Sequence, residues 1–88
     1  NSGGGIFKII PGPKTTNAIE YFETPHCLTA EHLCKMYGLE YKKAFSTNTV
    51  SEELADFYKE SHKPILLEIF TPSSKNDTIL KKYFKYIK

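Results

Sequence analysis

The sequence predicts an α/β fold: a βαβ unit with flanking helices, built on a truncated parallel sheet. Residues Ile65-Leu66-Leu67-Glu68-Ile69-Phe70-Thr71 form a nearly continuous apolar run between Pro64 and Pro72. That is the pattern of a strand covered on both faces. An amphipathic pattern over 50–61 precedes it, and a short strand-like segment, Tyr41 to Phe45, precedes that. Strand, helix and buried strand in succession form a right-handed crossover unit. A strand covered on both faces needs neighbours on either side, and this chain offers only one. Residues 1–88 therefore read as a single partial domain that begins in the middle of something larger.

The elements follow in order. Asn1-Ser2-Gly3-Gly4-Gly5-Ile6-Phe7-Lys8-Ile9-Ile10 joins a glycine run to an apolar run. Glycines reach positive φ cheaply, and three in succession expose N–H and C=O groups that could face a phosphate or a metal ion. Pro11-Gly12-Pro13 and the polar stretch after it exclude helix and strand. Ala18 to Glu23 suits a short helical turn capped by Asn17, interrupted at Thr24-Pro25-His26.

Thr29 is placed to cap a helix over 30–37, in which Ala30, Leu33, Cys34 and Tyr37 share one apolar face and Gly38 ends the helix. Lys42 and Lys43 make the strand at 41–45 a partly exposed or edge element. After a turn at Ser46-Thr47-Asn48, the capping-box spacing Thr49-x-x-Glu52 starts a helix that runs to about Ser61. Its inward residues are Val50, Leu54, Phe57 and Tyr58; Glu53, Asp56, Lys59 and Glu60 point out. Asn76 caps a last helix carrying Ile79, Leu80, Tyr83 and Ile87 on one side.

Composition narrows the function classes. Eighty-eight residues bury only a modest core. The net charge is +2, and every basic residue is a lysine, so bidentate arginine recognition of phosphate or bases is missing. The C-terminal Lys81-Lys82-Tyr83-Phe84-Lys85-Tyr86-Ile87-Lys88 mixes basic and aromatic residues as single-strand binders do. Tyr83 and Ile87 are needed for the buried face, and lysines in a last turn complement the helix dipole. A solvated helix end, without nucleic acid, is the better reading. No membrane span is present, and Cys27 and Cys34 read as free thiols of a cytoplasmic protein. His26, Cys27, His32 and Cys34 match no common zinc spacing. Glu68 is expected to pair with a lysine or to lie at the strand's exposed end.

The opening pattern Asn-x-Gly-Gly-Gly-Ile-Phe, followed by Tyr21-Phe22-Glu23-Thr24-Pro25-His26, resembles the thiamine-diphosphate-dependent SEPHCHC synthases of menaquinone biosynthesis. The similarity continues through Cys34-Lys35-Met36-Tyr37-Gly38-Leu39-Glu40-Tyr41, through Leu66 to Thr71, and on to Asn76. It covers nearly the whole chain, but only the C-terminal end of such an enzyme. The resemblance implies the C-terminal part of a thiamine-diphosphate-binding domain. In that superfamily Mg²⁺ is held by an aspartate of a Gly-Asp-Gly motif, a later asparagine and a backbone carbonyl. Asn1 matches the asparagine, and Gly3 would supply the carbonyl, with Gly3, Gly4, Ile6 and Phe7 contacting the cofactor. Ile6, Phe7 and Ile10 would wall the substrate pocket. The implied reaction decarboxylates 2-oxoglutarate and adds the succinyl-semialdehyde unit to isochorismate.

The aspartate, the activating glutamate of a second subunit and the substrate-binding arginines lie outside this chain. The 88 residues alone are thus expected to be inactive, to bind neither thiamine diphosphate nor Mg²⁺, and to self-associate through uncovered apolar surface. Lys8 stands where many members carry serine, which would put a charge near the pocket mouth. Alternatives are the tail of another thiamine-diphosphate carboligase, a small phosphate- or nucleotide-binding module using the Gly3–Gly5 loop, a small nucleic-acid binder built on the lysine-rich C-terminus, or a flexible glycine linker.

Overall fold

A computed structural model describes residues 1–88, Lys14 by its backbone alone. In chain order the elements are α1 (Ile19–Glu23), α2 (Glu31–Tyr37), β1 (Glu40–Ala44), α3 (Thr47–Phe57), β2 (Ile65–Ile69) and α4 (Ser73–Tyr86). Short 3-10 turns lie at Gly5–Lys8 and Pro13–Thr15. The second of these crosses the region expected to be irregular: Pro13, at its first position, has φ already suited to a helical turn. No helix among the described residues is long and apolar enough to cross a membrane. The chain divides into two compact units, Leu28–Phe70 and Asn1–Cys27 with Thr71–Lys88.

The Leu28–Phe70 unit is the βαβ element. β1 and β2 pair in parallel, from Glu40 opposite Ile65 to Ala44 opposite Ile69. Glu40 N–H donates to the Pro64 carbonyl and Phe70 N–H to that of Ala44, each at 2.9 Å. The crossover helix starts two residues before the expected cap. Ser46, in extended conformation, accepts the Thr49 N–H, and the Thr49 hydroxyl takes the Ser46 N–H at 2.9 Å. This is a capping box with threonine in the role expected of Glu52. α3 ends at Phe57, four residues short of Ser61, and leaves Tyr58 exposed rather than inward. Glu53 and Asp56 do not point freely outward: both converge on Lys42 of β1.

α2 begins one residue later than expected. The Thr29 hydroxyl accepts the Glu31 N–H at 3.0 Å, while the Glu68 carboxylate accepts that of Ala30 at 3.0 Å. Gly38 ends the helix in the left-handed conformation at φ 70°, and Leu39 N–H closes back on the Cys34 carbonyl at 2.9 Å. Of the face expected to be apolar and inward, only Cys34 is buried; Leu33 and Tyr37 are largely exposed. β2 likewise has no fully buried residue, and Ile69 is exposed. Phe45 and Phe70 stack at 4.7 Å.

In the other unit, α1 is preceded by Ala18, whose N–H goes to the Thr16 hydroxyl at 3.2 Å, so Asn17 does not cap it. Thr24 at φ 47° ends it. α4 starts at Ser73, directly after Pro72, three residues before the expected cap. Asn76 lies inside it and donates to the Thr71 hydroxyl at 2.8 Å. Ile79, Tyr83 and Ile87 are exposed. An open groove of about 450 Å³ runs along this side, lined by Thr71, Asn76, Ile79, Leu80 and Tyr83.

Candidate functional site

The glycine run is shaped by close packing rather than by unusual dihedrals. The positive φ in the opening stretch belongs to Ser2, at 57°, and not to Gly3, Gly4 or Gly5. The glycines are required for space. A Cβ on Gly3 would lie 2.9 Å from the Glu23 carbonyl oxygen and 3.0 Å from that residue's Cγ. One on Gly4 would lie 3.0 Å from the Phe7 ring and 3.3 Å from the Phe22 carbonyl. One on Gly5 would lie 2.7 Å from the Asn1 side-chain nitrogen. The run is thus threaded between the end of α1 and the Asn1 amide.

The N–H groups of the run are all donated internally. Gly3 N–H goes to Asn1 Oδ1 at 3.3 Å, Gly4 N–H to the Glu23 carbonyl at 2.7 Å, and Gly5 N–H to the Gly3 carbonyl at 3.0 Å. The last carbonyls of a helix have no partner within it, and Gly4 fills that role for α1. The sequence suggested an N–H cradle for a phosphate, yet no N–H of the run is left for one. Oxygen acceptors remain. The Asn1 side-chain oxygen and the Gly3 carbonyl each accept one hydrogen bond and retain a lone pair. Two neutral oxygens on one turn suit part of a Mg²⁺ shell, which takes hard oxygen donors and is completed by carboxylate and phosphate. The residues present fit that ion as a partial donor set.

The apolar residues after the glycines divide. Ile10 N–H donates to the Ile6 carbonyl at 3.1 Å, which puts these side chains one turn apart, and both are exposed, Ile6 at 59% and Ile10 at 39%. Phe7 instead packs on Phe22, ring centroids 5.4 Å apart. Lys8 does not project as a free charge. Its ammonium lies 2.6 Å from the Glu23 carboxylate, with the two side chains 20% and 12% exposed.

Other candidates resolve as structural. Among the described residues Glu68 pairs with no lysine: its Oε2 accepts from the Tyr41 hydroxyl at 2.7 Å as well as from Ala30 N–H. The Tyr41 hydrogen bond holds its carboxyl below the usual carboxylate range, while burial pushes the Tyr41 phenol up. Lys42 bonds to Asp56 and lies 3.5 Å from Glu53; the Asp56 bond raises the ammonium and the same bond lowers the Asp56 carboxyl. Cys34 is a buried free thiol and Cys27 an exposed one. Among the described residues, no three His, Cys, Asp or Glu side chains gather as a metal site. The sequence reading missed Glu23 and Lys81: their contacts with Lys8 join residues far apart along the chain and leave no spacing signature, although the i,i+4 spacing of Asp77 and Lys81 is a local one.

No family model matches the chain. It is 49% identical over its whole length to the 2-succinyl-5-enolpyruvyl-6-hydroxy-3-cyclohexene-1-carboxylate synthase of Christiangramia forsetii, and spans 15% of that protein. Over 97% of its length it is 50% identical to the synthase of the same name from Flavobacterium johnsoniae, spanning 16% of it. To that of Porphyromonas gingivalis it is 40% identical over 99% of its length, spanning 15% of it.

Proposed function

The chain is homologous, over its whole length, to a segment of the 2-succinyl-5-enolpyruvyl-6-hydroxy-3-cyclohexene-1-carboxylate synthases, and from that premise we propose that it is the C-terminal portion of such an enzyme. The proposed activity is thiamine-diphosphate- and Mg²⁺-dependent decarboxylation of 2-oxoglutarate, with addition of the succinyl-semialdehyde unit to isochorismate in menaquinone biosynthesis. The observation that carries this reading is the opening turn, where the Asn1 amide oxygen accepts from Gly3 N–H, the Gly3 carbonyl accepts from Gly5 N–H, and each keeps a lone pair.

In this role Asn1 and Gly3 hold Mg²⁺ alongside a carboxylate from elsewhere in the polypeptide. Gly3 and Gly4, without side chains, let the turn close against Glu23 and Phe7, and the cofactor would lie along the turn's other side. Ile6, Phe7 and Ile10 would wall the substrate pocket and exclude water from it. When bound, the cofactor supplies the electron sink for loss of the 2-oxoglutarate carboxylate. The uncovered apolar sides of α2 and α4 suit burial against the remainder of the enzyme and a second subunit. Free thiols at Cys27 and Cys34 suit a cytoplasmic location.

Two properties of the isolated 88-residue chain check this reading. Calorimetric titration with thiamine diphosphate and Mg²⁺ should give no measurable binding, because the anionic ligand of the metal is missing. Sedimentation should show self-association that grows with concentration. Micromolar cofactor binding together with a clean monomer would mean that the site and its cover are already complete here.

A further inference from the structure

We propose that Glu23, Lys8 and Lys81 are positioning residues, forming a clamp that holds the opening turn in shape before any ligand arrives; the ligand-binding half of this proposal rests on the cofactor-loop reading above. Glu23 is the node. Its backbone carbonyl accepts Gly4 N–H at 2.7 Å, at the start of the 3-10 turn Gly5–Lys8, and its carboxylate meets the Lys8 ammonium at 2.6 Å, at the end of that turn. One residue thereby fixes both ends. α4 grips the same end from the other side: Lys81 Nζ donates to the Lys8 carbonyl at 2.8 Å, and Lys8 Nζ lies 3.5 Å from the Ser73 carbonyl. Lys81 is itself aimed by Asp77, 3.4 Å away and only 5% exposed. At the front of the loop, His26 N–H donates to the Ser2 carbonyl at 2.9 Å.

Two consequences follow from this arrangement. Lys8 is paired with Glu23 rather than offered to an anion, so it acts on the loop's shape and not as a phosphate ligand. The Gly3 end of the turn is held by the Glu23 backbone carbonyl and the Lys8 end by the Glu23 and Lys81 side chains, none of them a metal or cofactor ligand in this reading, and preformed geometry reduces the ordering cost of binding. Losing one ion of a shielded pair leaves its partner charged and unmatched, which costs more than the pair contributes.

The test uses hydrogen exchange on the full-length polypeptide carrying this segment, with Lys8→Met, Lys8→Arg and, as control, Lys82→Met on the exposed side of α4. Lys8→Met should speed exchange over residues 2–10 by roughly tenfold, the equivalent of one charge-assisted hydrogen bond. Exchange over 28–70 should stay unchanged. The Mg²⁺ concentration that half-saturates thiamine diphosphate binding should rise in parallel, and Lys8→Arg should restore both values while Lys82→Met alters neither. Unchanged exchange over 2–10, or equal acceleration over 28–70, would overturn the clamp. Faster loop exchange in a polypeptide whose parent binds no thiamine diphosphate would leave the clamp standing and overturn the cofactor reading instead.

Discussion

Replacing Glu68 by alanine is expected to destabilise the βαβ unit by about 2–4 kcal/mol, because two donors lose one charged acceptor together. The Tyr41 hydroxyl at 2.7 Å and the Ala30 N–H at 3.0 Å both end on Glu68 Oε2. The Thr29 hydroxyl, 3.4 Å from that of Tyr41, is a longer and uncharged partner and replaces the carboxylate only weakly. Glu68→Gln keeps an acceptor of the same length and should recover roughly half of the loss. The pH dependence has a definite sign. The Glu68 carboxyl is held below its ordinary value of about 4.5, chiefly by the Tyr41 hydrogen bond. The unfolded chain therefore binds this proton more readily, and stability is present in full above that value and lost as pH falls below it. Tyr41 behaves oppositely: burial raises its phenol above about 10, so its contribution holds below that pH and fades as the phenol ionises. Denaturant titrations across the acid range should show a steep limb in the wild type and a flatter one in Glu68→Ala. Equal stability at neutral pH would refute the shared-acceptor account.

The second large effect separates two neighbouring glycines. Gly3→Ala places a methyl 2.9 Å from a backbone oxygen of Glu23, where nothing can rotate aside. The loop must lift from α1, at a cost of about 1–3 kcal/mol, and the Gly4 N–H bond to Glu23 should lengthen or break. Gly5→Ala instead meets the side-chain nitrogen of Asn1 at 2.7 Å. That amide can swing away, so stability should change by less than roughly 1 kcal/mol. If Asn1 is a metal ligand, however, the same swing removes it, and Mg²⁺ affinity should fall in Gly5→Ala despite an unchanged melting curve. Measuring both properties in both variants tests the packing account. Equal stability losses in the two would show that the contacts at Gly3 and Gly5 do not differ as described.

How far the sequence predicts the molecule depends on the range of the interactions involved. The βαβ unit was legible because a proline-bounded apolar run and an amphipathic helix are local patterns, and the parallel pairing of Glu40–Ala44 with Ile65–Ile69 matches them. Helix starts were less legible. Ser46 and Thr49 cap α3 reciprocally, where the Thr49-x-x-Glu52 spacing points to a cap three residues later, and Pro72 lets α4 begin before Asn76. The inward faces of α2 and α4 were read from periodicity alone, which reports which side is apolar and not whether anything covers it. At the site, the glycines were recognised but their reason was not: they make room for Glu23 and Asn1 rather than reaching positive φ. The Lys8–Glu23 and Lys81–Lys8 contacts join residues far apart in sequence, and no pattern of spacing encodes them.

The central claim is that this segment supplies Asn1 and Gly3 to the Mg²⁺ site of a thiamine-diphosphate synthase. The direct measurement is release of CO₂ from 2-oxoglutarate by the full-length polypeptide in the presence of isochorismate and thiamine diphosphate, titrated with Mg²⁺, for the parent and for Asn1→Ala. The expected result is isochorismate-dependent turnover in the parent and a half-saturating Mg²⁺ concentration raised at least roughly tenfold in the variant, as losing a ligand or its support does at other metal sites. Absence of 2-oxoglutarate turnover, or turnover with the same Mg²⁺ dependence in Asn1→Ala, would contradict it.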